Sequence, residues 1–245
     1  PRHYIKVAQL DLLMMRAAPA SKALLGFAML AKDRGVKVVN DPDGLMRVSQ
    51  KTWLAGLNGV SSPKCVVTKS FGIAKSFYES CPTGVVLKPA IGSGGTAVYR
   101  VKPGNLRRFE EDFSHVRVHK SNHVVVQAYD DAASEGESRI VWFQGKAIGA
   151  YRRQAAIGEF RHNLKQGATP EPKTLTTQDH KIIADLSPHL TKCGITLAGI
   201  DVIGNSIIEV NALNPGGIYH ASRLSGVDLA KHIMHSLQIQ AATEK

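Results

Sequence analysis

Two segments far apart in the chain carry the side chains best suited to chemistry. The first, VVLKPAIGSGGTAVYRV from Val85 to Val101, places Lys88 just before a glycine-rich turn between two strand-like runs. The second, AGIDVIGNSIIEVNALNPGG from Ala198 to Gly217, spaces Asp201, Glu209 and Asn211 along a hairpin-like pattern. A lysine beside a turn rich in backbone amides holds polyphosphate, and two carboxylates with an amide oxygen make the hard-oxygen donor set that magnesium prefers. Together they describe a site for ATP and magnesium, which neither segment supports alone. The glycine turn leads into a further strand, whereas a dinucleotide fingerprint must open a helix and a P-loop must end in GK[ST]. Both of those alternatives fail here.

The elements that must position these residues alternate between strand and helix signals. A strand-like run from Val7 to Met15 stops at Pro19, and a helix from Ser21 to about Arg34 has Ser21 as N-cap and Gly35 past its end. Val36 to Val39 reads as a short strand and Asn40 to Pro42 as a turn. A helical segment from about Ser49 carries Lys51 and Trp53. Strands follow at Cys65–Thr68, 84–88 and 123–127, with helices at 70–79 and 103–114. Tyr129 to Gly136 is an acidic loop. Strands at 138–143 and 146–151 share the turn Gln144-Gly145, and an irregular stretch then holds Arg153, Arg161, His162 and Asn163. Thr176 with Asp179 opens a helix in capping-box style, and Pro188 predicts its kink or early end. The Asp201–Asn211 hairpin and a last amphipathic helix from about Val227 close the chain.

Composition bounds the function classes. The chain has 245 residues, 43% hydrophobic, enough for a substantial core in one large domain or two to three lobes. No apolar stretch is long enough for a bilayer span and no leader pattern opens the sequence, so the expected location is cytoplasmic, with no membrane partner. Cys65, Cys81 and Cys193 are scattered without a CxxC pair, which argues for free, buried thiols. The net charge of +11 comes from lysines and arginines spread along the chain, without interleaved aromatics, so a nucleic-acid partner is not expected. His115, His119 and His123 stand four apart, but their segment runs from helix end into strand, where zinc ligation does not fit.

From Leu10 to the last helix the chain resembles the ATP-grasp superfamily, and within it the bacterial glutathione synthetase type. The residues that carry the resemblance are LDLLMMRAAP at 10–19, VVNDPDGL at 38–45 with Lys51 beyond, KPAIGSGG at 88–95, VVQAY at 125–129, GIDVIG at 199–204 and EVNALNPGG at 209–217. The resemblance implies an α/β fold with two lobes clasping ATP: a partial α/β unit at 1–48, a small lobe at 49–127 and a C-terminal lobe at 128–245. It implies that Lys51 and Lys88 neutralise phosphates beneath a mobile lid of Gly92, Ser93, Gly94 and Gly95. Gln127, Ala128 and Tyr129 resemble the hinge that reads adenine, Glu137 the ribose carboxylate and Arg139 a phosphate-contacting arginine. Asp201, Glu209 and Asn211 resemble the ligands of magnesium, two ions in number, with manganese as the alternative. Substrate recognition falls to Arg16, Arg153, Arg161, Asn163, Asn214, Gly216 and Gly217, with Asn163 also on the nucleotide and Lys88, Arg139 and Arg153 nearest the chemistry.

The implied reaction is amide formation through an acyl phosphate. In glutathione synthetase the acid is γ-glutamylcysteine and the amine glycine, and members commonly form dimers or tetramers. The family carries a fuller α/β domain ahead of the LDLLMMRAAP run, and here about one crossover unit precedes it. A removed initiator, a trimmed chain and a naturally short relative all remain open. The last of these leaves room for another amino-acid or peptide ligase, and a non-catalytic nucleotide-binding relative is the rival from a different class.

Overall fold

The computed structural model describes residues 4–17, 20–92, 94–118 and 122–243. The first unit is a parallel crossover: β1 (Leu12–Met14), α1 (Lys22–Asp33) and β2 (Lys37–Val39), with Leu13 opposite Val38. The Ser21 hydroxyl accepts from the Leu24 amide at 3.1 Å and so caps α1 as its sequence predicts. The predicted strand from Val7 is shorter than expected: Val7–Gln9 is a single 3-10 turn and only Leu12–Met14 pairs. The predicted turn at Asn40–Pro42 instead starts α2 (Pro42–Val48). Asp41 caps it by accepting from the amides of Asp43 and Gly44, and Pro42 takes the first position, where no N–H is needed.

Short α3 (Lys51–Ala55) leads into a small lobe built of β3 (Cys65–Thr68), α4 (Phe71–Glu79), β4 (Val85–Pro89), β5 (Tyr99–Val101), α5 (Leu106–Arg117) and β6 (Val124–Ala128). Its antiparallel sheet runs β3-β6-β4-β5. Val85, Leu87, Val101, Val124 and Val126 face the stacked rings of Phe109 and Tyr78 to make a separate core.

The larger lobe holds β7 (Glu137–Phe143), β8 (Lys146–Gln154), β9 (Thr169–Pro172), α6 (Thr177–Lys192), β10 (Leu197–Ile203), β11 (Ser206–Asn211), α7 (Ile218–Ser225) and α8 (Leu229–Thr243). Its sheet order is β11-β10-β7-β8-β9, antiparallel throughout. Arg153, expected in an irregular stretch, lies inside β8. Helix α6 runs through Pro188 to Lys192 without the predicted early end. Leu186 and Leu190, on either side of the proline, are fully buried, and Ser187 Oγ donates to the Ile183 carbonyl. Tertiary packing thus outweighs a penalty of about 3 kcal/mol for a proline in a helix.

The N-terminal unit shares its core with the large lobe. Met15, Ala28, Leu45, Val48 and Leu54 pack with Ile140, Trp142, Leu186 and Ile200. Asn40, 2% exposed, fastens the join: its Nδ2 donates to the carbonyls of Leu197 and Ala212 at 2.7 and 2.8 Å, and its Oδ1 accepts from the amides of Thr196 and Leu197 at 2.7 and 2.8 Å. The three cysteines are free, with Cys81 buried and Cys65 and Cys193 half-buried. Among the described residues no helix is long and apolar enough to cross a membrane.

Candidate active site

A cleft with a water-accessible volume of about 110 Å³ lies between the two sheets. Lys88 enters it from β4, where the strand alternation buries Leu87 in the small-lobe core and turns Lys88 the other way, leaving it 6% exposed. Its Nζ donates to Gln127 Oε1 at 2.8 Å, across the β4–β6 pairing. Burial pushes the Lys88 ammonium down to about 8; Glu209 opposes the fall and Lys51 adds to it. A buried cation held this far below its ordinary value lacks a full counter-charge, and a polyphosphate supplies one.

Lys51 arrives from the start of α3. Its Nζ donates to the Gly92 carbonyl at 2.7 Å and pairs with Glu209 Oε1 at 3.0 Å. The glycine turn is tied down on its far side too, since Arg161 Nη1 donates to the Gly95 carbonyl at 3.1 Å. Gly95 has φ +75°, and a Cβ there would lie 2.7 Å from Asn163 Oδ1. Glycine is required on both conformational and steric grounds. The turn is therefore closed over the cleft, held by Lys51 at one end and by the Arg161–Asn163 segment at the other. Glu159 orients Arg161 at 2.6 Å, and that pairing holds the Glu159 carboxyl down at about 2.

The β10–β11 hairpin sets Asp201 directly opposite Glu209, with Gly199 opposite Asn211. Asp201 is 3% exposed and fully engaged. Arg139 binds it through Nε and, at 2.8 Å, through Nη2; Arg153 Nη2 lies 2.7 Å away and Asn211 Nδ2 donates at 3.1 Å. Burial alone would raise its carboxyl, but Arg139 and Arg153 hold it below the usual carboxylate range. Glu137, the first residue of β7, pairs with Arg153. Glu209, its side chain 28% exposed, faces the cleft beside Lys51. With Asp201 taken up by Arg139, Arg153 and Asn211, Glu209 is the carboxylate of this hairpin left open to a hard cation.

A model of the prokaryotic glutathione synthetase ATP-grasp domain matches residues 51–226, the stretch that contains Lys51, the glycine turn, the Asp201–Asn211 hairpin and the segment that latches the lid. The chain belongs to this family. Glutathione synthetase of Synechocystis sp. is 34% identical over 203 residues, which cover 83% of this chain and 62% of that protein. The chain thus spans less than two thirds of that relative's length. Among solved structures, D-cycloserine synthetase DcsG aligns with a TM-score of 0.75 at 14% identity, over 98% of this chain and 86% of that one. VanG D-Ala:D-Ser ligase from Enterococcus faecalis gives 0.71 at 17% identity, over 94% and 73%. These two share its fold, which the matching family model describes as ATP-grasp.

Of the residues assigned roles from sequence in this prokaryotic glutathione synthetase-type domain, Lys51, Lys88, Gly92, Gly94, Gly95, Gln127, Ala128, Tyr129, Glu137, Arg161, Asn163, Asp201 and Glu209 all line the one cleft. Arg139, Arg153 and Asn211 lie directly behind it, on Asp201. Ser93 and His119 fall outside the described residues. Arg16 and Asn214 are exposed and do not line the cleft. Gly216 connects to it indirectly, its carbonyl accepting from Arg139 Nη1 at 3.1 Å, and Gly217 packs against the Arg139 and Tyr151 side chains at the start of α7. At the hinge, the Ala128 amide donates to Lys64 and the Tyr129 amide to Gly84, at 2.9 and 3.0 Å, so those two donors are committed within the small lobe. Among the described residues no cluster of three histidine, cysteine or acidic side chains suits a metal.

Two apolar walls and Phe160 were not identified from sequence, and His162 was noted there without a role. Val86 and Val98 form one apolar wall of the cleft and Ile203 and Ile208 another. The alternation of strand residues was the available signal, with Leu87 inward to the core and Val86 outward. Phe160 and His162 belong to a loop without periodicity, so nothing in the sequence marked their direction.

Proposed function

We propose that this chain is an ATP-dependent carboxylate–amine ligase of glutathione synthetase type. The observation that carries the reading is the convergence, in one interlobe cleft under a latched glycine turn, of two lysines from one side and a carboxylate pair from the other. ATP-grasp ligases use ATP with a divalent metal. The apolar walls at Val86, Val98, Ile203 and Ile208 suit a flat heterocycle bordered by the Gln127–Tyr129 hinge, with Glu137 at the ribose. Polyphosphate lies toward Lys88 and Lys51, where buried cations offset charge that water cannot reach. Asp201, Glu209 and Asn211 would hold magnesium, two ions, with manganese as the alternative. Bound there, the metal neutralises charge on the phosphate oxygens.

The acid's carboxylate attacks the γ-phosphorus of ATP to give an acyl phosphate and ADP. The amine then adds to the acyl carbon and phosphate leaves, forming the amide. Arg153 and Arg161, with Asn163, orient the acid; Arg139 contacts phosphate; Arg16, Asn214, Gly216 and Gly217 complete substrate recognition from outside the cleft wall. The closed turn keeps water from the acyl phosphate. The proposed acid is γ-glutamylcysteine and the amine glycine, in a self-associating cytoplasmic enzyme without nucleic-acid or membrane partners.

The test is phosphate and ADP release with ATP and magnesium over panels of acids and amines, starting with γ-glutamylcysteine plus glycine, with product mass read in parallel. Release requiring both substrates, with glutathione as product and a loss of at least about 100-fold in Glu209→Ala, is the expected result. A different acid–amine pair assigns another ligase specificity. Nucleotide binding without turnover for any pair refutes the ligase reading.

A further inference from the structure

His162 sits between Arg161 and Asn163 in the segment that latches the glycine turn, yet neither the lid nor the charge network uses it. Its side chain is 4% exposed, and neither ring nitrogen makes a hydrogen bond of good geometry within the chain, although the Arg153 and Ala133 backbones lie close enough to act on the ring. Buried polar atoms left unpaired are costly, and native proteins tolerate them chiefly where a ligand or water completes them. His162 borders the cleft, and so do Ala133 and Glu137. Burial, with Arg153 acting in the same direction, holds the imidazole below its ordinary value against the smaller opposing influence of the Arg153 and Ala133 carbonyls and Asp201.

At neutral pH the ring is therefore uncharged, with one N–H donor and one lone pair. That pairing is poorly matched to phosphate, which calls for donors and positive charge. It has nothing to offer the apolar walls that suit a base. It does complement an alcohol, which both donates and accepts. The neighbouring Glu137 carboxylate accepts only, and an acceptor beside a mixed donor–acceptor matches the two adjacent hydroxyls of a ribose.

We infer that His162 binds the ribose hydroxyls of the nucleotide alongside Glu137, and that it sets the preference of the site for ribonucleotide over deoxyribonucleotide. The inference rests on the nucleotide reading given above and adds a residue and a selectivity to it.

The experiment is calorimetric titration of the full chain, in magnesium, with ATP, 2′-deoxy-ATP and 3′-deoxy-ATP. Wild type is expected to prefer ATP. His162→Ala is expected to lose about tenfold in ATP affinity while binding at least one deoxynucleotide nearly as wild type does, so that the preference for that hydroxyl collapses. Equal weakening toward all three nucleotides points to packing and overturns the inference; so does no weakening at all. Should the alanine variant fail to fold, the wild-type protein labelled with ¹⁵N-histidine gives an independent reading. One imidazole among ten, assigned by its absence in His162→Gln, should shift with ATP and not with the matching deoxynucleotide. An unmoved His162 signal overturns the inference. Failure of wild type to bind any of the three nucleotides refutes the nucleotide reading itself, a result distinct from nucleotide binding that ignores His162.

Discussion

Replacing Lys88 with methionine should make the protein more stable and functionally inert at once. The shift from 10.5 to about 8 reflects about 3 kcal/mol, at about 1.4 kcal/mol per tenfold, by which burial disfavours the charged form in the folded chain. Methionine fills similar space without charge, but it leaves Gln127 Oε1 without its 2.8 Å donor, a loss of about 1 kcal/mol. The net gain at pH 7 is then about 2 kcal/mol, or about 4 to 8 °C in melting temperature for a chain of this size. The pH dependence follows from linkage. The unfolded lysine keeps its proton up to 10.5 while the folded one releases it near 8, so wild-type stability rises with pH between those values. Methionine's advantage is therefore complete below about 8 and above 10.5 gives way to the loss of about 1 kcal/mol at Gln127. Nucleotide affinity should fall at least about 100-fold, because the buried counter-charge to polyphosphate is lost. Wild type should also take up protons on binding ATP near pH 8.5, as phosphate restores the ammonium, and the variant should not. Thermal melts from pH 7 to 10.5 with calorimetry in buffers of different ionisation enthalpy give both readings. A variant that melts below wild type at pH 7, or a stability difference that does not shrink as pH rises, refutes the account of Lys88 as a desolvated cation awaiting a phosphate.

Gly95→Ala should undo the lid, since it places a methyl 2.7 Å from Asn163 Oδ1 at a φ that disfavours alanine by about 1 kcal/mol. The expected result is a KM for ATP raised about tenfold and faster proteolysis of the glycine turn in the presence of nucleotide, with the melting temperature nearly unchanged. Asn40→Ala removes four hydrogen bonds of 2.7 to 2.8 Å at a buried join. At about 1 kcal/mol each it should cost about 4 kcal/mol, seen as a melting temperature lowered by about 10 °C. A loss under about 1 kcal/mol would mean that the N-terminal unit is held by apolar packing alone.

Local signals were enough wherever chemistry and periodicity coincided. The capped helix after Ser21, the capping box at Thr176 and the strand Cys65–Thr68 appear where their residues predict them. Lys88, the glycine turn and the Asp201–Glu209 pair could be picked out because their types and spacing are restricted by what polyphosphate and a hard cation require, whereas Lys51 was picked out only through the family resemblance. Helix α2 had its own signals, Asp41 and Pro42, and these were read as a turn because both residues also favour turns. Only the assembled fold decided the rest. Whether α6 survives Pro188 depended on leucines buried against a sheet distant in sequence, an energy no local window contains. The engagement of Asp201 by Arg139 and Arg153 depended on strands β7 and β8 lying beside β10, and Asn40 gained its role from carbonyls more than 150 residues away. His162 is the clearest case: sequence supplies an imidazole, whereas its burial, its neutrality and the lack of well-formed hydrogen bonds at its nitrogens all come from neighbours that folding alone brings to it.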